Sequence, residues 1–276
     1  MNQVPAVRHS VVRTVLAMTA RDLRVFRRSL VMNSVRIVLQ PLLFVFVFAY
    51  VLPSIGSGVG GGAPGSGGLT FSTVMVPGLI GSTMIMQSMA AIIFPLVMEL
   101  SGPGGIEDRA LAPVPVQVIG VQKIITAAVE GLVAGLLVIP VVMLVHAGGQ
   151  APDIGVSNWP LLIVVMLSGA LFAASLGMYL GTVINPRQVQ VLFTLVMFPA
   201  MMLGCVYFTW DSLSGVRWLQ FAVLANPMVY LNEGLRTALT PQLDHMAVWV
   251  FMLVLVAGSA LFSWFAIRTF TRRVTA

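Results

Sequence analysis

Charge is scarce in this sequence, since only 9% of its 276 residues are Asp, Glu, Lys or Arg. An ordinary soluble domain carries about 25%. The only cysteine is Cys205, which excludes an intrachain disulfide and a thiolate metal cluster within one copy. The sequence also lacks the GxxxxGK[ST] phosphate loop and the HExxH and GxSxG signatures of metalloproteases and serine hydrolases. We therefore expect no enzymatic active site and no bound cofactor in this chain.

Apolar residues are abundant: 58% of the sequence is hydrophobic and the mean hydropathy is +0.97. Apolar runs long enough to cross a bilayer as helices recur along the chain. The pattern predicts an all-α membrane protein with six transmembrane helices. The predicted spans are Ile37–Leu52, about Phe71–Met98, about Ile124–Val145, about Trp159–Ile184, Val189–Phe208 and about Met246–Ile267.

The first thirty residues form a separate segment with helical periodicity. Arg21, Arg24, Arg27 and Arg28 fall on one face of a helical wheel, opposite an apolar face that Asp22 interrupts. We expect an amphipathic helix on the membrane surface, with a solvated basic tail as the alternative. The domain division is thus a cytoplasmic tail with an interfacial helix at 1–30 and a membrane domain at 31–276.

Orientation follows from the distribution of the fifteen basic residues. With the N-terminus inside, thirteen of them lie on the cytoplasmic side, and only Arg217 and Arg236 lie outside. This asymmetry predicts an inner-membrane protein with both termini in the cytoplasm. The net charge of +6 thus reports topology, and we expect contact with membrane lipids and none with nucleic acid.

The stretch 221–239, between the fifth and sixth predicted spans, is too apolar for a free loop. The Asn226-Pro227 pair interrupts it, and it carries Glu233 and Arg236. Broken backbone at membrane depth is tolerated only where it is buried in protein or lines a cavity. We therefore expect short re-entrant helices before the last span.

Two other features could carry function. Glu130 is the only acidic residue well inside a predicted span, and such a carboxylate is either a functional group or a structural partner. The loop between the second and third spans contains Glu107, Asp108 and Arg109, followed by Pro113 and Pro115. It is either a docking site for a soluble partner or a solvated turn.

Two GxxxG patterns, Gly131/Gly135 and Gly177/Gly181, occur inside the third and fourth spans. Such spacing lets helices approach closely in lipid. We expect packing within the bundle, with association between copies as the alternative.

Three segments together resemble the type-2 ATP-binding-cassette exporter permeases, which export drugs, lipids or polysaccharides. Residues 19–28 (TARDLRVFRR) are similar to the interfacial connecting helix of that family. Residues 106–115 (IEDRALAPVP) look like its coupling loop, although Ala110 stands where a glycine is common. Residues 218–236 (WLQFAVLANPMVYLNEGLR) resemble the Asn-Pro, aromatic and acidic-x-x-Arg pattern before its last span.

The resemblance implies a permease subunit for export or multidrug efflux across the inner membrane. Two permeases, identical or homologous, would assemble with two cytoplasmic ATPase subunits that bind ATP and magnesium. Glu107, Asp108 and Arg109 would contact these ATPases, and the connecting helix would transmit their closure. The outer gate would comprise Asn226, Pro227, Tyr230, Glu233 and Arg236.

Two other classes of function remain open at the level of the sequence. An ion- or proton-coupled secondary carrier would use Glu130, and inverted internal repeats would favour it. A membrane anchor or assembly factor would have no transport role and no ATPase partner.

Overall fold

The computed structural model of the protein describes residues 11–51, 54–55, 70–101, 115–145, 151–185, 188–243 and 245–275. Every regular element in these ranges is helical, which confirms the predicted all-α class. Two apolar stretches, Ile37–Phe48 and Phe193–Met202, are shorter than a full span, so the count of six spans stays a prediction. Within the described residues, four helices are long and apolar enough to cross a membrane: α2 (Phe71–Ser101), α3 (Val116–Leu144), α4 (Trp159–Val183) and α8 (Val248–Thr275).

Helix α1 (Val11–Val45) is 35 residues long and continues into a π-helical turn, Phe46–Val51. Pro41 lies inside the helix, where it removes one backbone hydrogen bond. The helix is continuous across residue 30, the predicted boundary between tail and membrane domain. The position of its first turns on the lipid surface stays a prediction.

Helix α3 begins at Val116, eight residues before the predicted start of the third span. The sequence places the boundary late because Gln122 and Lys123 are polar. In the structure both side chains have polar partners, Asp22 and Glu99 respectively. A satisfied polar side chain can remain inside a helix, so the helix extends back to Pro115.

Helix α5 (Val189–Met202) ends six residues before the predicted end of the fifth span at Phe208. In the turn that follows, Cys205 has φ of 54°, in the left-handed region. Side-chain amides of Asn226 and Asn232 donate to the carbonyls of Ala200 (2.6 Å) and Gly204 (2.7 Å). Residues far along the chain thus satisfy carbonyls that the end of a helix leaves free.

Helix α2 lies at the centre of the bundle and packs against α1, α3 and α4. Both GxxxG patterns face it. A Cβ on Gly131 would lie 1.8 Å from the Ser88 hydroxyl oxygen, and one on Gly177 would lie 3.0 Å from the Met89 Cα. These glycines therefore permit close helix contacts within the bundle, as predicted.

Candidate functional site

The return segment, residues 203–247, connects α5 to α8 through short helices. It contains a 3-10 turn (Asp211–Gly215), α6 (Arg217–Ala222), a second 3-10 turn (Val223–Ala225) and α7 (Pro227–Leu239). This succession confirms the short helices predicted before the last span.

The predicted break at Asn226 and Pro227 is the start of α7. The Asn226 side chain accepts a hydrogen bond from the Met228 N–H at 3.0 Å, and Pro227 occupies the first turn. Both are favoured at a helix N-terminus. The Tyr230 hydroxyl donates to the Leu224 carbonyl at 2.8 Å, which holds the preceding 3-10 turn against α7.

Glu233 and Arg236 form an ion pair on α7, and both side chains are completely buried. The Glu233 carboxylate also accepts hydrogen bonds from the backbone N–H groups of Trp210 (3.0 Å) and Met246 (3.2 Å). One carboxylate therefore joins the chain before α6, α7 itself and the chain leading into α8.

The Arg236 guanidinium extends this network to the end of α5 and to α2. Its Nη2 donates to the carbonyls of Cys205 at 3.0 Å, of Phe208 at 3.3 Å and of Val74 at 3.5 Å. Its Nε has no hydrogen-bond partner among the described residues. A buried charge pair of this kind is stable only with such additional hydrogen bonds.

Asn232 is a member of this network that sequence reasoning missed. Its side chain is fully buried, its Nδ2 holds the Gly204 carbonyl, and its Oδ1 has no hydrogen-bond partner among the described residues. The available signal was an amide next to Glu233 in an otherwise apolar stretch. Its partner lies 28 residues away in sequence, which only the fold reveals.

The membrane groove is a cavity of about 480 Å³ between α1, α2 and α5, with one side chain from α3. Along α2 it extends from Leu79 to Pro95, roughly 24 Å at about 1.5 Å per residue. None of the five residues predicted for the outer gate is among its lining residues. Its polar lining residues are Gln40, Ser82, Thr83, Gln87, Glu130 and Thr194.

Glu130 supplies the only charged side chain among the described lining residues. The carboxylate is half-buried and shares a hydrogen bond with the Gln87 side chain. No lysine or arginine of the described residues forms a salt bridge with it. The structure thus places the predicted intramembrane charge at a cavity and pairs it with a neutral amide.

A polar contact connects α1 to α3 at the end of the bundle where the 102–114 loop begins. The Gln122 amide donates to the Asp22 carboxylate at 2.8 Å and to the Thr126 hydroxyl at 3.0 Å. This contact explains why Asp22 interrupts the apolar face of α1: the face packs against α3, which presents a buried amide at that point.

A second polar contact joins the ends of α2 and α3 on either side of the same loop. The Lys123 ammonium donates to both Glu99 carboxylate oxygens, at 2.9 and 3.0 Å. The loop residues Glu107, Asp108 and Arg109 lie outside the described residues. The structure does describe the two helix ends that the loop connects.

The basic face of α1 is exposed along Arg21, Arg24, Arg27 and Arg28. Arg21 forms a salt bridge with Asp22 at 3.0 Å, and Arg24 donates to the Ala20 carbonyl. Phe26, on the opposite face, is buried. The structure thus describes an exposed row of arginines, while the amphipathic character of the segment and its contact with lipid stay predictions.

Among the described residues, no group of three or more His, Cys, Asp or Glu side chains could hold a metal ion. The buried charges and polar side chains instead join segments of the chain or border the groove.

Comparison with known proteins identifies the family. Comparison with curated proteins gave no match. The sequence profile described as ABC-2 type transporter matches residues 13–240. This range includes α1 from Arg13 onward, the groove and the return segment up to the end of α7. The chain belongs to the ABC-2 type transporter family and is a multi-pass membrane permease of the ABC transport class.

Proposed function

We propose that this chain is the permease subunit of an ATP-driven exporter for a hydrophobic or amphipathic substrate, such as a drug, lipid or glycan. Membership of the ABC-2 type transporter family is the observation that carries this proposal. The sequence has no Walker A loop. ATP and magnesium would therefore bind to a separate cytoplasmic ATPase, and this chain would be no enzyme.

The 102–114 loop is the proposed docking site for that ATPase, through Glu107, Asp108 and Arg109. Two arrangements of the ATPase can drive the permease only if they contact this loop differently. Support comes from the geometry of the helix ends, because Glu99 and Lys123 tie α2 to α3 directly beside the loop. A displacement of the loop would then move both helices together.

Helix α1 is the proposed second route of transmission. The Asp22–Gln122 contact attaches its first half to α3, while Gln40 and Pro41 in its second half line the groove. A shift of α3 would thus change the groove through a continuous helix.

The return segment is the proposed outer gate, built from Asn226, Pro227, Tyr230, Glu233 and Arg236. The buried Glu233–Arg236 pair binds its parts to one another and to the end of α5. A segment tied together in this way would move as a unit and close the outer end of the passage.

The proposed assembly contains two permeases, identical or homologous, and two ATPases in the inner membrane, with both permease termini in the cytoplasm. The basic face of α1 supports this orientation, since cytoplasmic segments are enriched in Arg. Helix α5 exposes Val191, Leu195 and Phe198, a surface for lipid or the second permease.

An ion- or proton-coupled carrier is the second candidate, and the position of Glu130 in the groove is the observation that favours it. Family membership argues against it. A gradient-driven flux that Glu130→Gln abolishes, without any ATPase, would make the carrier the better description.

Affinity purification of the tagged chain from gently solubilised native membranes tests the proposal. We expect a P-loop ATPase to co-purify in roughly equimolar amount. Reversal of all three loop charges (Glu107→Lys, Asp108→Lys, Arg109→Glu) should weaken this association without preventing membrane insertion. Reversal of two exposed charges outside both the loop and α1 (Asp211→Lys, Arg217→Glu) serves as the control.

Two results would contradict the proposal. If the triple variant co-purifies with the ATPase as well as the original protein does, the loop is not the docking site. Recovery of intact, monodisperse protein with no ATPase partner would contradict the ATP-driven exporter and favour the carrier.

A further inference from the structure

The membrane groove combines a single negative charge with neutral polar and apolar walls. Glu130 contributes the charge, and the described lining contains no basic side chain. The Asp22 carboxylate also interacts electrostatically with Glu130. Arg21 offsets the charge of Asp22, so the ionised form of Glu130 is the main source of negative potential at this end of the groove. An anionic guest would be repelled there, and a cation would be attracted.

The partners of Glu130 leave room for such a guest. A carboxylate away from water requires an opposite charge or several hydrogen bonds. Gln87 supplies one hydrogen bond, and no described Arg or Lys forms a salt bridge with Glu130. The half-buried carboxylate borders the cavity, so a cation inside the groove could pair with it directly.

The remaining walls suit an apolar body attached to that cation. Phe94 and Phe193 both line the groove and pack edge to face with ring centroids 5.5 Å apart. Met86 and Met201 add adaptable apolar surface. Aromatic rings also attract cations through their faces, so these walls favour a lipophilic cation over a neutral sugar.

The size of the groove fits one molecule of this kind. Its volume of about 480 Å³ lies within the range of about 300–1,000 Å³ typical of sites for drug-sized ligands. We propose that the membrane groove binds lipophilic cations, such as amines and quaternary ammonium or phosphonium compounds, with the positive charge beside Glu130. This inference rests on the proposed transport function and specifies its substrate class.

Two ions of the same shape and opposite charge provide the test. Tetraphenylphosphonium and tetraphenylborate are each titrated against the full chain, in the complex in which it is extracted. The two ions partition into detergent to different extents. This difference cancels when the affinity of one ion is compared between the original protein and a variant. We expect Glu130→Gln to weaken tetraphenylphosphonium binding by about tenfold or more, as expected for loss of a partly buried charge partner.

Two further variants separate the charge from general damage. Glu130→Asp retains the carboxylate and should recover part of the affinity for tetraphenylphosphonium. Asp153→Asn removes an exposed carboxylate outside the groove. This variant should leave the affinity within about twofold of the original value, as is usual for separated sites.

A labelling experiment covers the case in which Glu130→Gln fails to fold. Cys205 is fully buried and should react with a maleimide only slowly. In a Thr83→Cys variant, the new cysteine in the groove is therefore expected to be the residue that reacts. Tetraphenylphosphonium should slow this reaction, and tetraphenylborate should not. The proposal is overturned if neither ion protects, if both protect equally, or if folded Glu130→Gln retains full affinity for tetraphenylphosphonium.

Binding requires neither ATP nor turnover, so the two proposals fail separately. A permease that retains its ATPase but does not prefer the cation remains an ATP-driven transporter with another substrate class. A permease that binds the cation without any ATPase partner remains a cation-binding protein but is no ATP-driven exporter.

Discussion

Replacement of Arg236 with methionine tests whether the buried ion pair holds the return segment in place. Methionine fills a similar elongated space but removes the positive charge and all donors. Glu233 would then keep only the backbone N–H groups of Trp210 and Met246 as partners. The carbonyls of Cys205 and other residues contacted by Arg236 would lose a donor as well.

The expected magnitude follows from the complete burial of both side chains. Removal of one partner from a buried pair costs about 3–5 kcal/mol, because an uncompensated charge remains away from water. Replacement of both partners removes that charge. The double variant Glu233→Gln/Arg236→Met should therefore be more stable than Arg236→Met alone by at least about 1 kcal/mol.

Unfolding in detergent, followed by tryptophan fluorescence and circular dichroism, measures these differences. Arg217→Met is the matched control, because Arg217 is an exposed arginine in the same segment. The control should change the free energy of unfolding by no more than about 0.5 kcal/mol. If Arg236→Met loses no more stability than the control, or if the double variant is no more stable than Arg236→Met, the ion pair does not stabilise the segment.

Three further predictions test other contacts. Gly131→Ala should destabilise the protein by about 1–3 kcal/mol through a clash with α2, whereas Gly215→Ala, with open space around it, should be neutral in the same unfolding assay. Gln122→Ala should cost about 1.5 kcal/mol through loss of its hydrogen bond to Asp22, and an unchanged unfolding midpoint would contradict the contact. Cys205 should react with maleimide slowly in the native protein and rapidly in SDS, since it is fully buried; equal rates would refute its burial.

Several parts of the candidate site could be predicted from local pattern alone. The break at Asn226 and Pro227 was correct, because an amide cap followed by proline has a local meaning in any context. Helix α4 begins at Trp159, where the apolar run predicts the fourth span, and the structure adds a local cause, since Asn158 accepts from the Leu161 N–H at 3.0 Å.

Contacts between distant segments could not be predicted in this way. The extension of α3 eight residues ahead of the predicted third span could not be foreseen, because the sequence does not show that Gln122 finds a partner 100 positions away. The end of α5 was wrong by six, because the carbonyls at its end bond to the side chains of Asn226, which caps α7, and of Asn232 within α7. Polar residues at the end of an apolar run predict a loop when they are considered alone. They can lie within a helix when the fold supplies hydrogen-bond partners for their side chains.

Apolar composition and positive-inside charge determined the class of this protein, its helices and its expected orientation, because bilayer thickness and surface charge act on each segment separately. The tertiary structure decided which polar groups meet. It buried the Glu233–Arg236 pair among backbone carbonyls, attached α1 to α3 through Asp22, and placed Glu130 beside a groove. These pairings depend on the packing of helices far apart in sequence, which no local pattern specifies.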